Sequence, residues 1–233
     1  MEKRPTRVLL LAGLAFVIIA SGLWLLFGRG LTHPLPLAQG ETVASWNFIG
    51  PYKDGGELEK RATDEIVRLK GLLGSGEFPD YQILVGIAGQ YELLGDGKST
   101  YEYLGRAIKA NSETGLAWHN LGVLLARLKA PQTARIAYTK AIEAQPLPLY
   151  HTARLDFLID YFPDDRGGVE AAFTDAVAAL GEAPFVLEKK AGWLTDTGRI
   201  QEAISLLKTI RTLVPASRFD AIDAEIMRLE KTL

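Results

Sequence analysis

The strongest constraint on this chain is that its pattern returns every 34 residues. Leu84, Ile87, Ala88, Tyr91, Gly95, Leu104, Ala107 and Ile108 are answered 34 positions later by Trp118, Leu121, Gly122, Leu125, Lys129, Tyr138, Ala141 and Ile142. Large apolar, small and aromatic classes coincide at all but one of these places. A unit of this length is a pair of helices too small to bury its own apolar stripe, so neighbouring units must supply the other wall of the core. Ala88, Gly122 and Ala191 are small where two helices approach within about 8–10 Å. Ala107 and Ala141 do the same for the second helix, while Trp118, Tyr91 and Tyr138 fill wider gaps. Pro146 and Pro215 stop a helix and turn the chain toward the next unit.

These residues resemble the tetratricopeptide repeat family. Residues 115–148 carry its pattern almost entire, in Trp118, Leu121, Gly122, Ala134, Tyr138, Ala141 and Pro146. Residues 81–114 carry it with Leu84, Thr100 and Ser112 at the tryptophan, mid-repeat alanine and proline positions. Residues 184–217 add Leu187, Ala191, Leu194, Gly198, Ala203, Leu207, Ile210 and Pro215. The weakest unit is 149–183. Its first helix is in register counted from Leu149 (Leu155, Ile159) and its second counted from Tyr150 (Phe173, Ala176), so one extra residue is expected within YFPDDRGG. The resemblance implies an all-α fold, a right-handed tetratricopeptide superhelix of about four helix-turn-helix repeats.

A solenoid needs its terminal apolar faces covered. Over 218–233, Phe219, Ile222, Ile226, Leu229 and Leu233 form one stripe, which predicts a capping helix with Ser217 as its N-cap. At the other end, 56–73 reads as a partial helix with Leu58, Ala62, Ile66, Leu69 and Leu73 inward, packed on the helix beginning near Tyr81.

Leu94–Thr100, LGDGKST, ends like a phosphate-binding loop. That motif needs a glycine where Glu92 stands, and it must leave a buried strand, whereas YQILVGIAGQYELL has helical spacing. The segment is therefore expected to be a helix–helix turn, with Gly95 in a positive-φ conformation, Asp96 capping the next helix and Lys98 a solvated charge. Thr197-Gly198 occupies the corresponding place in the last unit.

Val8 to Phe27 is a run of 20 residues without a charge. At 1.5 Å per residue it spans about 30 Å, the thickness of a bilayer's hydrocarbon core. Lys3, Arg4 and Arg7 precede it and only Arg29 follows closely, so the basic segment 1–7 is expected in the cytoplasm and everything after the span outside it. A cleaved signal peptide would have a shorter apolar region and a better cleavage site than Pro36-Leu37-Ala38. The expected organisation is thus an anchor helix at 8–27, a linker at 28–55 and a repeat domain at 56–233, on the outer side of a cytoplasmic (inner) membrane. Within the linker, Trp46, Phe48, Ile49 and Tyr52 of VASWNFIGPY lack periodicity. They either fold onto the first helices or form an aromatic arm for a partner.

With 26 basic and 28 acidic side chains, no field exists to attract nucleic acid. Cysteine is absent, which excludes disulfides, thiolate metal sites and a cysteine nucleophile. Of the histidines, His119 and His151 could approach one another, but no third ligand is spaced to join them in a metal site. No nucleophile elbow or HExxH signature is present. Neither catalysis nor a cofactor is expected.

In the family, positions 2, 5, 9, 12 and 13 of each unit project into a concave groove. The resemblance places Gln82, Val85, Gly89, Glu92 and Leu93 there from the first unit, and Leu116, His119, Val123, Ala126 and Arg127 from the second. Tyr150, Phe157 and Tyr161 come from the third, and Phe185, Glu188, Gly192, Thr195 and Asp196 from the fourth. The lysines and asparagines with which some members grip terminal carboxylates are missing: Val85, Gly89, His119 and Val123 stand in their place. The partner-binding candidates are Val85, Gly89, Leu116, His119, Val123, Arg127, Tyr150, Phe157 and Tyr161, suited to an amphipathic or hydrophobic protein segment. The implied function is a membrane-tethered extracytoplasmic scaffold assisting assembly of an envelope complex. The alternative is a stoichiometric structural subunit of such a complex.

Overall fold

The computed structural model describes residues 33–233. The expected anchor at 8–27 lies outside them. Among the described residues no helix is long and apolar enough to cross a membrane. The chain divides into two compact units, Met1–Pro36 and Leu37–Leu233. In the described part of the first, His33 Nδ1 lies 2.7 Å from the Leu35 carbonyl oxygen.

In the second unit the alternation of apolar faces and turn residues produces ten α-helices among the described residues. They are α1 (Glu57–Leu72), α2 (Asp80–Leu93), α3 (Gly97–Ala110), α4 (Gly115–Arg127), α5 (Pro131–Ala144), α6 (Pro148–Tyr161), α7 (Arg166–Leu180), α8 (Pro184–Asp196), α9 (Ile200–Leu213) and α10 (Phe219–Glu230). Each packs on its chain neighbours, which gives four consecutive helix pairs, α2–α3 to α8–α9, flanked by α1 and α10. This is a tetratricopeptide-like helical repeat.

The small residues sit where the period requires them. Ala88, Ala107, Ala141 and Ala191 are all buried. A Cβ on Gly122 would stand 3.0 Å from the Tyr138 ring, so that α4–α5 crossing leaves no room for a side chain. At the front, Ile66 of α1 joins Ile83 and Ile87 of α2 in one apolar cluster that Leu69, Leu72, Leu73, Tyr91, Leu94 and Tyr103 complete. Leu58, expected inward, is instead exposed in the first turn of α1. At the back, Ile222, Ile226 and Leu229 of α10 are buried. Leu233 is exposed beyond the helix end. Ser217 is not the cap of α10: it lies in a 3-10 turn, Ala216–Arg218, and Arg218 takes the N-cap place without a side-chain bond.

The turns inside the pairs follow one rule. Three have three residues: 94–96, 128–130 and 197–199. Their middle residues, Gly95, Lys129 and Gly198, have φ of 77°, 61° and 75°. In each, the middle N–H donates to the carbonyl three residues back and the next N–H to the carbonyl five back: Gly95 to Glu92 and Asp96 to Tyr91, Lys129 to Ala126 and Ala130 to Leu125, Gly198 to Thr195 and Arg199 to Leu194. This left-handed closure satisfies the last carbonyls of the first helix. The fourth turn, 162–165, has four residues, the extra one expected from the register slip, and none of them has positive φ.

Caps differ more than the turns do. Asp96 accepts from Ser99 N at 2.9 Å and Asp165 from Gly168 N at 2.9 Å. Thr197 does not cap α9; its hydroxyl donates back to the Trp193 carbonyl at 2.8 Å. Helix α5 begins with Ala130 at its N-cap and no local side chain to serve it. Its cap comes from Glu41, whose carboxylate accepts from Gln132 N at 2.6 Å and Thr133 N at 2.8 Å.

Glu41 belongs to an arm, residues 37–52, that lies along the turns of the first two pairs. Ala38 N donates to Thr133 Oγ1 at 2.8 Å. Phe48 N donates to the Gly95 carbonyl at 3.0 Å, Tyr52 N to the Leu93 carbonyl at 2.9 Å, and Gly97 N to the Trp46 carbonyl at 2.8 Å. Of the two readings of VASWNFIGPY, the backbone contacts match folding onto the first helices, because its backbone groups find partners on the α2–α3 turn.

Candidate partner-binding face

The arm explains both glycines of LGDGKST. A Cβ on Gly95 would lie 2.1 Å from the Phe48 carbonyl oxygen, and one on Gly97 2.6 Å from that of Trp46. In the second pair, where Lys129 and Pro131 take the equivalent places, the hydrogen bonds to α5 come from the Glu41 and Ala38 end of the arm. Lys98 keeps an exposed side chain, yet it is not simply solvated: its ammonium stands 5.1 Å from the centre of the Trp46 ring. Trp46 in turn packs at 5.1 Å against Tyr101. The phenol of Tyr101 is pushed up to about 12 by burial.

The first helices α2, α4, α6 and α8 carry the residues expected to line a groove. Ion pairs connect these helices along their sides. Arg127 Nη1 lies 3.1 Å from Glu92, joining α4 to α2. Lys189 pairs with Asp156, joining α8 to α6. Arg218 Nη2 lies 3.0 Å from Glu188 Oε1, without the alignment of a hydrogen bond. Each pair joins one exposed or half-exposed side chain to a more buried partner, and solvent at the open end keeps their contribution to stability small. Burial raises the Glu92 carboxyl above its ordinary range, and Arg127 partly opposes that.

An aromatic ladder runs through the middle of the stack. The His119 ring lies 5.3 Å from Tyr150 and 5.9 Å from Tyr138. Tyr138 meets Phe157 at 4.9 Å, and Phe157 meets Tyr161 at 5.0 Å. Tyr161 donates to the Ala126 carbonyl at 3.2 Å, which anchors the third pair to the second. Tyr150 and Phe157 are 3% and 4% exposed. They are therefore walls of the core rather than contacts available to a partner, since the ladder consumes their surface. His119 is half-buried, and desolvation lowers its imidazole below the ordinary range.

The other candidates stand differently. Val85, Gly89 and Val123 are half-buried, and the space above Gly89 is open. Arg127 is exposed, with its guanidinium 4.8 Å from the Phe48 ring, so the arm reaches the end of this face without covering its centre. Leu116 is 43% exposed and Phe185, at the same position of the fourth unit, is 43% exposed; in the third unit that position is the buried Tyr150, and the preceding Leu149 is 58% exposed. Leu149 was not among the binding candidates, because it is the first residue of its unit and the groove pattern begins at the second.

Helix pairs of this pitch, with a face of exposed apolar residues on successive first helices, define a tetratricopeptide-like repeat fold. No family model matches the sequence, and no curated protein matches it. Among solved structures the chain is similar to MamA, as seen in its crystal structure, with 16% identity and a TM-score of 0.49, over 70% of this chain and 94% of that one. At that identity the likeness concerns the fold alone. The assignment rests on the helix pairs, turns and small-residue contacts of this chain.

Proposed function

We propose that this chain is a membrane-tethered, extracytoplasmic scaffold that holds an amphipathic or hydrophobic segment of a partner protein on its first-helix face. One observation carries this reading: Leu116 and Phe185 stay exposed at the second position of the second and fourth units, and Leu149, beside the buried Tyr150, is exposed at the start of the third. Large apolar side chains repeated on one face of a rigid element are the usual footprint of a protein interface. The tether is supported by the uncharged run Val8–Phe27 and the basic residues before it.

Val123→Glu tests the reading. The half-buried valine can be replaced by a carboxylate that reaches solvent, so helicity and melting should be unchanged while partner capture weakens. Losing one central apolar contact costs about 1–2 kcal/mol, roughly a tenfold loss of affinity. Equal capture by the variant contradicts the first-helix face.

A further inference from the structure

We infer that the crevice between α5, α6 and α7 is a binding site for an aliphatic carboxylate. None of the groove candidates lines it. Its volume is about 490 Å³, and its walls are Thr139, Ile142 and Glu143 of α5, Pro146 of the following turn, His151 and Arg154 of α6, and Asp175, Ala178 and Ala179 of α7. Cavities of this size hold small organic ligands. The aliphatic portion of the lining, Ile142, Pro146 and the two alanines, suits a short branched hydrocarbon.

The polar floor sets the chemistry. His151 is 2% exposed, and its Nε2 has no hydrogen-bond partner within the protein. Arg154 Nε is likewise buried and unbonded, while Arg154 Nη1 donates to Asp175 at 3.0 Å. The guanidinium thus spends its outer edge on an exposed carboxylate and keeps an inner N–H free. Leaving such groups unsatisfied costs about 1–3 kcal/mol each. A carboxylate accepts from both nitrogens at once, and Arg154 supplies the charge.

Binding is coupled to protonation. Burial, and then the charge of Arg154, push the His151 imidazole below its ordinary range, with Asp175 opposing. The charged groups facing it are Arg154 on its own helix, Asp175 on α7 and Glu143 on α5. A bound carboxylate beside Nε2 favours the imidazolium, so binding takes up a proton. Affinity is greatest below the His151 pKa of the free protein and falls as pH rises through that of the complex.

The chain has three histidines, so ¹³C-labelled imidazoles of the full-length protein give three resolvable signals, with His33 and His119 as internal controls. Titration with 4-methylpentanoate should move the His151 signal saturably and leave the other two in place. The affinity should be about tenfold higher near pH 6 than near pH 8, the size of one unit of coupled shift. Arg154→Met should lose that affinity while keeping wild-type helicity, and H151Q should bind weakly and without pH dependence. The uncharged 4-methylpentanamide should not compete. Short peptides ending in Val-Leu, with free or amidated C-termini, distinguish the sources: competition by the free-acid peptide alone assigns a chain terminus, and by neither assigns a small acid. An unmoved His151 signal at tens of millimolar acid would mean that water alone fills the crevice. That result, equal binding of the amide, or undiminished binding by Arg154→Met overturns the proposal.

Discussion

The first and last helix pairs make the same turn and use it differently. Gly95 and Gly198 share a left-handed φ, 77° and 75°, and the same pair of closing hydrogen bonds. Above Gly198 a Cβ would meet nothing within 4 Å, whereas above Gly95 it would meet the arm's backbone at 2.1 Å. One glycine answers a conformational demand alone. The other answers that demand and also leaves room for a docked segment. A glycine in a repeat turn therefore reports two different things, and only its neighbours reveal which.

The largest expected effect separates these roles. Gly198→Ala should cost about 1–2 kcal/mol, the penalty of a left-handed L-residue. Gly95→Ala should cost about 3 kcal/mol, because the same penalty is joined by the loss of the arm's backbone hydrogen bonds. Urea denaturation measures both, and limited proteolysis between Glu41 and Lys53 should rise only in the Gly95 variant. Equal losses in the two would mean that the arm contributes nothing at the first turn.

The second pair sharpens the comparison from the opposite direction. Its helix α5 is capped from a distance by Glu41. Glu41→Ala should cost about 1 kcal/mol, the ordinary value of an N-cap. Glu41→Gln should restore part of this, since an amide oxygen still accepts. A change of similar size and opposite sign is expected at Lys129, which holds a φ of 61° without being glycine. Lys129→Gly should stabilise the chain by about 1 kcal/mol through relief of that conformation. A destabilisation there would show that the Lys129 ammonium, 5.5 Å from the Tyr161 ring, outweighs the backbone strain.

Much of the fold was legible in the sequence because its determinants are periodic. The 34-residue return located the helix pairs, and the mismatch of register around Phe162 foretold the four-residue turn. Pro131, Pro148 and Pro184 mark helix starts as first-turn prolines. What escaped was non-periodic. The docking of Trp46 and Phe48 was one of two readings left open, because it depends on hydrogen bonds to the Gly95 and Gly97 backbone, which no spacing encodes. The bond from Glu41 to α5 joins residues about ninety positions apart, and the only hint is the absence of a capping side chain at Ala130. Among the site candidates, spacing put the right residues on the first helices. It could not tell Leu116, which stays exposed, from Tyr150 and Phe157, which neighbouring rings bury.

The account stands on the first-helix face being the surface that meets a partner, and site-specific photocrosslinking in intact cells tests it most directly. A photoreactive phenylalanine in place of Leu116 or Phe185 on that face should yield a discrete adduct with one protein, lost when Val123→Glu is added. The same group in place of Glu102 or Lys140, exposed on second helices, should not yield it. Adducts of equal yield from both sets, or from the second helices alone, would contradict the claim.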